Sequence, residues 1–323
     1  MQAASVLKQL MEQYPSQVRL VYRNFALGHT LSNISIQAAE AAALQGKYWE
    51  MHDVLFNEST WETWDSMTEG DFTTWVTQQA GTLGMDTTQF ASDLTSTAIV
   101  DKVAADTNAA QAAGLGSTPS MFVLFNNELY FAPKDQYSSF PYLPTVYKLL
   151  ELQTRQFKEC PPITIDSSKT YTATLVTSKG EIVIELYPKE APLTVNSFVF
   201  LARQGWYTNV PFHRVIEGFV AQTGDPTGTG GGNPGYQVGD EIVSTLNFDA
   251  AGMVGMAKGN NPGTNGSQFF ITLASAAALD GRYTVFGKVT QGLDVLTQLT
   301  RVDPSQANQP TPDTLISVTI TEQ

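Results

Sequence analysis

The stretch FHRVIEGFVAQTGDPTGTG, residues 212–230, places an arginine inside an otherwise apolar strand pattern and ends in a glycine-rich loop. Arg214 is followed by Phe219 and Gln222. From pattern alone two readings of Arg214 stay open. It is a rim arginine with its head in water, as strand arginines usually are, or a cation put to chemical use.

The sequence on either side of this stretch reads as β-structure with few helices. YTATLVT (171–177), a Ser-Lys-Gly turn and EIVIELY (181–187) form a hairpin, with Ile182, Ile184 and Leu186 alternating with Glu181, Val183 and Glu185. A helix follows, with Pro192 in its first turn and Val195, Phe198, Val199 and Ala202 as its buried stripe. GLDVLTQLT (292–300) reads as a second helix and LISVTITE (315–322) as a last strand. Two helices among many short strands suggest a β-barrel capped at its ends.

Upstream the pattern changes at KECPPITIDSSK, residues 158–169, where paired prolines and a Ser-Ser pair mark a stiff linker. Before it, Val6, Leu7, Leu10 and Tyr14 have helical spacing, and VRLVYRNF (18–25) alternates like a strand. An Ala-rich stretch from Ile34 to Phe56 predicts a helix, Asp71 to Gly81 another, and VAADTNAAQAAG (103–114) a third closed by Gly114 or Gly116. MFVLF and ELYF flank Asn126-Asn127 as a hairpin, and a last helix covers about Tyr142 to Phe157. The expected division is thus 1–157, a linker over 158–169, and 170–323.

Composition narrows the function. Of 323 residues 42% are hydrophobic and 15% charged, a globular balance. The net charge of -13 argues against nucleic acid or an anionic membrane surface as partner, since both need a basic face. No apolar run reaches the length of a membrane span, and MQAASVLKQL does not read as a signal peptide. Cys160 is the single cysteine; with only His29, His52 and His213 beside it, no metal-ligand spacing occurs. His29 and His52 read as structural or solvated histidines, the tryptophans Trp49, Trp61, Trp64 and Trp75 as packing residues, and Cys160 as a bystander rather than a reactive thiol.

Three blocks, FHRVIEGFVAQTGD (212–225), GMAKGNNPGTNGSQFFIT (255–272) and LDGRYTVFGKV (279–289), resemble the signature blocks of cyclophilins in order and near-family spacing. The resemblance covers about residue 170 to the end. It implies a closed barrel of eight antiparallel strands capped by two helices, and prolyl cis-trans isomerase activity without cofactor or metal. It further implies that Arg214 is the catalytic arginine, that Gln222 bonds it and the substrate backbone, and that Phe219, Phe270 and Leu279 line a proline pocket with Met256 beside it. Phe212, His213, Ala257, Lys258, Gln268 and Tyr283 match further substrate-groove positions, Lys258 chiefly through its backbone. The sequence departs from the family at Ala278, where a tryptophan that helps bind cyclosporin-type ligands is common. It departs also at Tyr283 (often histidine), Glu217 (often proline), Thr223 (often glycine) and in a longer loop at Asn260-Asn261.

VRLVYRNFALGHTLSNISIQAAEAAALQGKYWEMHDVLF (18–56) and AADTNAAQAAGLGSTPSMFVLFNNELYF (104–131) resemble the DsbA-like branch of the thioredoxin fold. That resemblance implies an α/β domain over 1–157 with a cis bond before Pro119. It also implies that the first strand and the Cys-x-x-Cys of the family would lie upstream of Met1. A longer, extracytoplasmic parent chain is the corresponding expectation.

The leading expectation is a prolyl isomerase acting on unfolded or proline-containing protein segments. A proline-loop-binding module without turnover is the alternative; Arg214, Phe219 and Gln222 argue against it. Thiol-disulfide exchange belongs only to a longer parent chain.

Overall fold

Helical spacing in the first unit is realised as seven helices among the described residues. The computed structural model describes residues 2–131 and 143–323, in two compact units that divide between Pro144 and Thr145. The first unit's helices are Gln2–Gln13, Ser32–Leu44, Tyr48–Phe56, Glu58–Trp64, Glu69–Thr82, Thr87–Leu94 and Thr97–Ala112. The Ala-rich run expected as one helix breaks at Gly46, whose φ of +72° suits glycine. Ala38, Ala41 and Ala42 let neighbouring helices close on Ser32–Leu44, in a core with Met51, Phe72, Phe90 and Leu94. Two short helices escaped the periodicity. Both start at side-chain caps: Asn57 accepts from Ser59 N at 3.1 Å, and Asp86 from Thr88 N at 2.8 Å and Gln89 N at 3.0 Å.

Strands β1 (Phe122–Phe125) and β2 (Glu128–Phe131) form the expected hairpin, with Asn126 and Asn127 at φ of 49° and 64°. The Thr118–Pro119 peptide is cis, as the resemblance implied. The strand expected over VRLVYRNF does not form. Alternation favours extended backbone, but a strand also needs a neighbour to take its N–H and C=O groups. Among the described residues of this unit β1 and β2 pair only with each other, and Val21 stands 63% exposed.

The second unit begins inside the helix Leu143–Gln153, ahead of the segment read as a linker. That segment is bound to the unit. Asn196, buried in the helix Pro192–Arg203, accepts from Thr164 N at 2.8 Å and donates to Pro162 O at 3.0 Å. A buried amide needs partners, and the extended Pro-containing chain supplies them.

The sheet of this unit comprises β3 (Tyr171–Thr177), β4 (Gly180–Leu186), β5 (Val210–Pro211), β6 (Arg214–Ile216), β7 (Val220–Thr223), β8 (Met253–Met256), β9 (Phe269–Thr272), β10 (Val285–Gln291) and β11 (Thr314–Glu322). Its order is β5-β11-β3-β4-β10-β8-β9-β7-β6 and all its pairs are antiparallel. The end strands, β5 and β6, are two residues apart along the chain, so the sheet curls back on itself. Nine strands appear rather than eight because the 210–216 run is interrupted at Phe212-His213. Phe212 N still donates to Asp313 O at 2.8 Å, and Val215 exchanges backbone bonds with Val302. The expected helical stripe, Val195, Phe198, Val199 and Ala202, packs into the interior with Phe269 and Phe286. The helix expected at GLDVLTQLT runs Leu293–Gln298.

Candidate active site

The register of β6, β7, β9 and β8 aligns one row of residues across four strands. Arg214 pairs with Gln222, Gln222 with Phe270, and Phe270 with Gly255. Residues paired across a sheet project to one face. A cation, an amide and an aromatic ring thus come together from segments up to 56 residues apart in sequence, from Arg214 to Phe270. The Arg214 guanidinium carbon lies 5.5 Å from the Phe219 ring centroid.

Around this row a satellite apolar cluster forms, separate from the main core. Val220, Phe248, Phe270 and Ala276 are among its buried members; Phe219, Ala257, Leu279 and Tyr283 are among the partly exposed residues packed against it. The rings of Phe270 and Tyr283 meet edge to face at 5.6 Å. Gly255 gives the Phe270 ring its room: a Cβ there would sit 2.4 Å from Phe270 Cζ. The structure therefore gathers Phe219, Phe270, Leu279, Ala257 and Tyr283 at one apolar cluster. Met256 and Phe212, also expected there, are fully buried in the main core. Met256 pairs with Phe269 and is one residue out of step with Gly255, so the pleat turns it inward. Val220, not singled out from sequence, shares the face of Gln222; alternation within FVAQ carried that signal.

The hydrogen bonds beside Arg214 run in one direction. Gln268 Nε2 donates to the carbonyls of Gly230 and Gly232, both at 2.9 Å. Carbonyls only accept, so Gln268 must present its Oε1 to Gln222, whose Nε2 donates to it at 3.0 Å. Gln222 is left with its carbonyl oxygen free to accept, on the residue paired with Arg214. His213 is buried, and neither ring nitrogen has a hydrogen-bond partner. Burial holds its pKa below the ordinary histidine value; the Asp225 charge opposes and that of Arg214 adds to the lowering.

Lys258 forms an ion pair with Asp240 at 2.7 Å, and its ammonium lies 5.6 Å from the Tyr283 ring centroid. Burial raises the Asp240 pKa, but hydrogen bonds from Lys258, Asn265 and Gly263 outweigh it and hold the carboxyl below its usual range. Among the described residues no group of acidic, histidine and cysteine side chains is arranged to hold a metal ion, and no helix is long and apolar enough to cross a membrane.

A family model described as "Cyclophilin type peptidyl-prolyl cis-trans isomerase/CLD" matches residues 172–320. The mouse protein "Peptidyl-prolyl cis-trans isomerase-like 1" is 45% identical over 159 residues, 48% of this chain and 93% of its own. The chain belongs to the cyclophilin family. A fission-yeast peptidyl-prolyl cis-trans isomerase is 48% identical over 139 residues, 42% of this chain and 89% of its own. A solved cyclophilin-type isomerase of Cryptosporidium parvum is 34% identical, covering 48% of this chain and 99% of its own, with a TM-score of 0.45. A second model, "Thioredoxin", matches residues 2–137, so this cyclophilin domain follows a thioredoxin-like one.

The departures from the cyclophilin pattern have local accommodations. Thr223, at a common glycine position, is buried and donates to Pro211 O at 2.9 Å. Glu217 is exposed in the turn before Gly218, whose φ is 65°. In the longer loop Asn261 O accepts from Thr264 Oγ1 at 2.7 Å. Ala278 is exposed in the 3-10 turn Ala277–Leu279, next in sequence to Leu279 of the apolar cluster.

Proposed function

We propose that this cyclophilin turns X-Pro bonds in exposed or unfolded protein segments, with Arg214 as the catalytic residue. The row Arg214–Gln222–Phe270 beside the Phe219 ring supports this above all. An X-Pro bond rotates slowly because resonance stiffens its C–N bond, with a barrier of about 18–20 kcal/mol. No covalent bond breaks, so the site needs neither nucleophile nor metal. It must bind the twisted amide better than either planar form.

The residues divide that task. The apolar cluster of Phe219, Val220, Phe270 and Leu279 grips the prolyl ring while the preceding residue turns. When the amide twists, its nitrogen regains a lone pair, and Arg214 donates a hydrogen bond to it. The Gln268 relay leaves the Gln222 carbonyl oxygen free, so it can accept from the guanidinium or from a substrate N–H when the peptide binds. Arginine keeps its charge at any working pH and holds its donors in a rigid plane.

Arg214→Ala tests this reading. Removing one preorganised donor costs about 10²–10³-fold in rate. The expected result is a kcat/KM on a short Ala-Pro peptide at least about a hundredfold lower, with an unchanged far-UV spectrum. Full activity in the variant, read by NMR exchange, would refute the assignment.

A further inference from the structure

The helix Leu143–Gln153 and the chain that follows it precede residue 172, where the family match begins. Their second-unit residues nevertheless press on one loop of the isomerase site, residues 230–235. Leu152 is buried in the barrel's main core cluster. Its Cδ2 would lie 3.0 Å from a Cβ on Gly232, and Leu149 3.7 Å from one on Gly231. Gln156 Nε2 donates to both Asn233 O and Asn233 Oδ1 at 3.1 Å. Phe157 N donates to Pro234 O at 2.8 Å, and the Phe157 ring stacks edge-on to Phe200 at 4.9 Å. Gly235 would place a Cβ 2.2 Å from Phe157 O, at a φ of +90°. Gly235 is the glycine this segment itself requires; at Gly232 a Cβ would meet Asp225 Oδ1 first, at 2.0 Å, before Leu152.

The same loop carries the only two carbonyls that Gln268 Nε2 is seen to bond among the described residues, Gly230 O and Gly232 O. From there the relay runs through Gln222 to the residue paired with Arg214. We propose that residues 145–157 are a positioning element of the isomerase site: by bracing the 230–235 loop they hold Gln268, and through it Gln222, in the orientation that Arg214 needs. Leu152 and Gln156 are the positioning residues. The inference rests on the isomerase reading above and deepens it. A 1 Å misplacement of a catalytic group can cost about 10²-fold, so a loosened brace is felt at the chemistry.

The test uses the full chain and a short Ala-Pro peptide, at a temperature where circular dichroism shows each variant folded. Leu152→Ala is expected to lower kcat/KM about tenfold, and Leu152→Met, which keeps the volume, to hold it within about twofold. Gln156→Ala, at a half-buried position outside the core, keeps the test open should Leu152→Ala fail to fold; about threefold loss is expected from its two bonds. A double-mutant cycle separates positioning from mere support. With Gln268→Ala already in place, Leu152→Ala or Gln156→Ala should cost less than about twofold, because the relay is gone. Full additivity, or a brace variant that melts earlier yet turns over like the parent, overturns the inference while leaving the isomerase reading intact. A parent chain without turnover overturns that reading instead, and this one with it.

Discussion

One buried carboxylate carries much of the groove. Asp225 is fully buried and accepts five hydrogen bonds. Its Oδ1 takes Thr227 N at 2.8 Å and Thr227 Oγ1 at 2.7 Å; its Oδ2 takes Gly230 N at 2.8 Å, Gly232 N at 3.0 Å and Thr229 Oγ1 at 3.4 Å. Asp225→Asn leaves one acceptor oxygen and turns the other into a donor. If the amide nitrogen takes the Oδ2 place, two backbone N–H groups lose their partner. If it takes the Oδ1 place, Thr227 N alone is orphaned and the Thr227 hydroxyl can rotate to accept, so this orientation costs less. Even then one buried N–H is unsatisfied, at about 1–3 kcal/mol, and the remaining bonds lose their charge assistance. Together the expected loss is about 3–5 kcal/mol, a large part of the 5–15 kcal/mol typical of a domain. At about 2–4 °C per kcal/mol for a unit of this size, the melting temperature falls by about 10 °C.

The chain has two compact units, so a single two-state fit is not appropriate. Hydrogen exchange of the full chain resolves them. Peptides from β3 and β4 should exchange faster in Asp225→Asn, while those from the helix Glu69–Thr82 stay at the parent rate. A shift of the second unit's stability below about 1 kcal/mol would show that the five-donor geometry does not describe the folded protein.

The other expected outcomes are shorter. Ala278→Trp should tighten cyclosporin binding by about 30-fold, the equivalent of about 2 kcal/mol for one aromatic contact; calorimetry that finds no change removes the account of this position. For His213, the folded imidazole titrates below its ordinary value because it is buried. The unfolded chain therefore takes up the proton first, and stability present above about pH 6.5 is lost as pH falls toward the folded value. The second unit should be less stable at pH 5.5 than at 7.5, and His213→Gln should flatten that slope; equal slopes would refute it.

What the sequence disclosed follows from how local each feature is. The helix at Pro192–Arg203, the β3–β4 hairpin and the Asn126-Asn127 turn each depend on residues within a few positions, and each was legible. The segment 18–25 was not, since alternation specifies a strand only when a neighbour exists to pair with it. The unit boundary at residue 144 was hidden for a related reason. The prolines at 161 and 162 look like a spacer, but they say nothing of the Asn196 amide that binds Pro162 O from 34 residues away. Leu152 and Phe157 read as one more amphipathic helix, because what they touch, Gly232 and Phe200, lies beyond any window of periodicity.

At the site the division is finer. Arg214, Phe219 and Gln222 fall in one block, and strand alternation alone sets Arg214 and Gln222 at fixed steps along it. Whether Met256 or Gly255 faces the groove turns on a single residue of register between β8 and β9, and a one-residue slip would reverse both. The direction of the amide relay depends on still more distant facts. Two glycine carbonyls, held by Asp225 through their own loop, can only accept. That fixes Gln268, which fixes Gln222, which leaves one oxygen free on the residue paired with Arg214. No proton has to move for isomerisation. On the mechanism proposed above the site needs a correctly oriented acceptor on Gln222, and the backbone of a glycine loop sets that polarity from the far end of the relay.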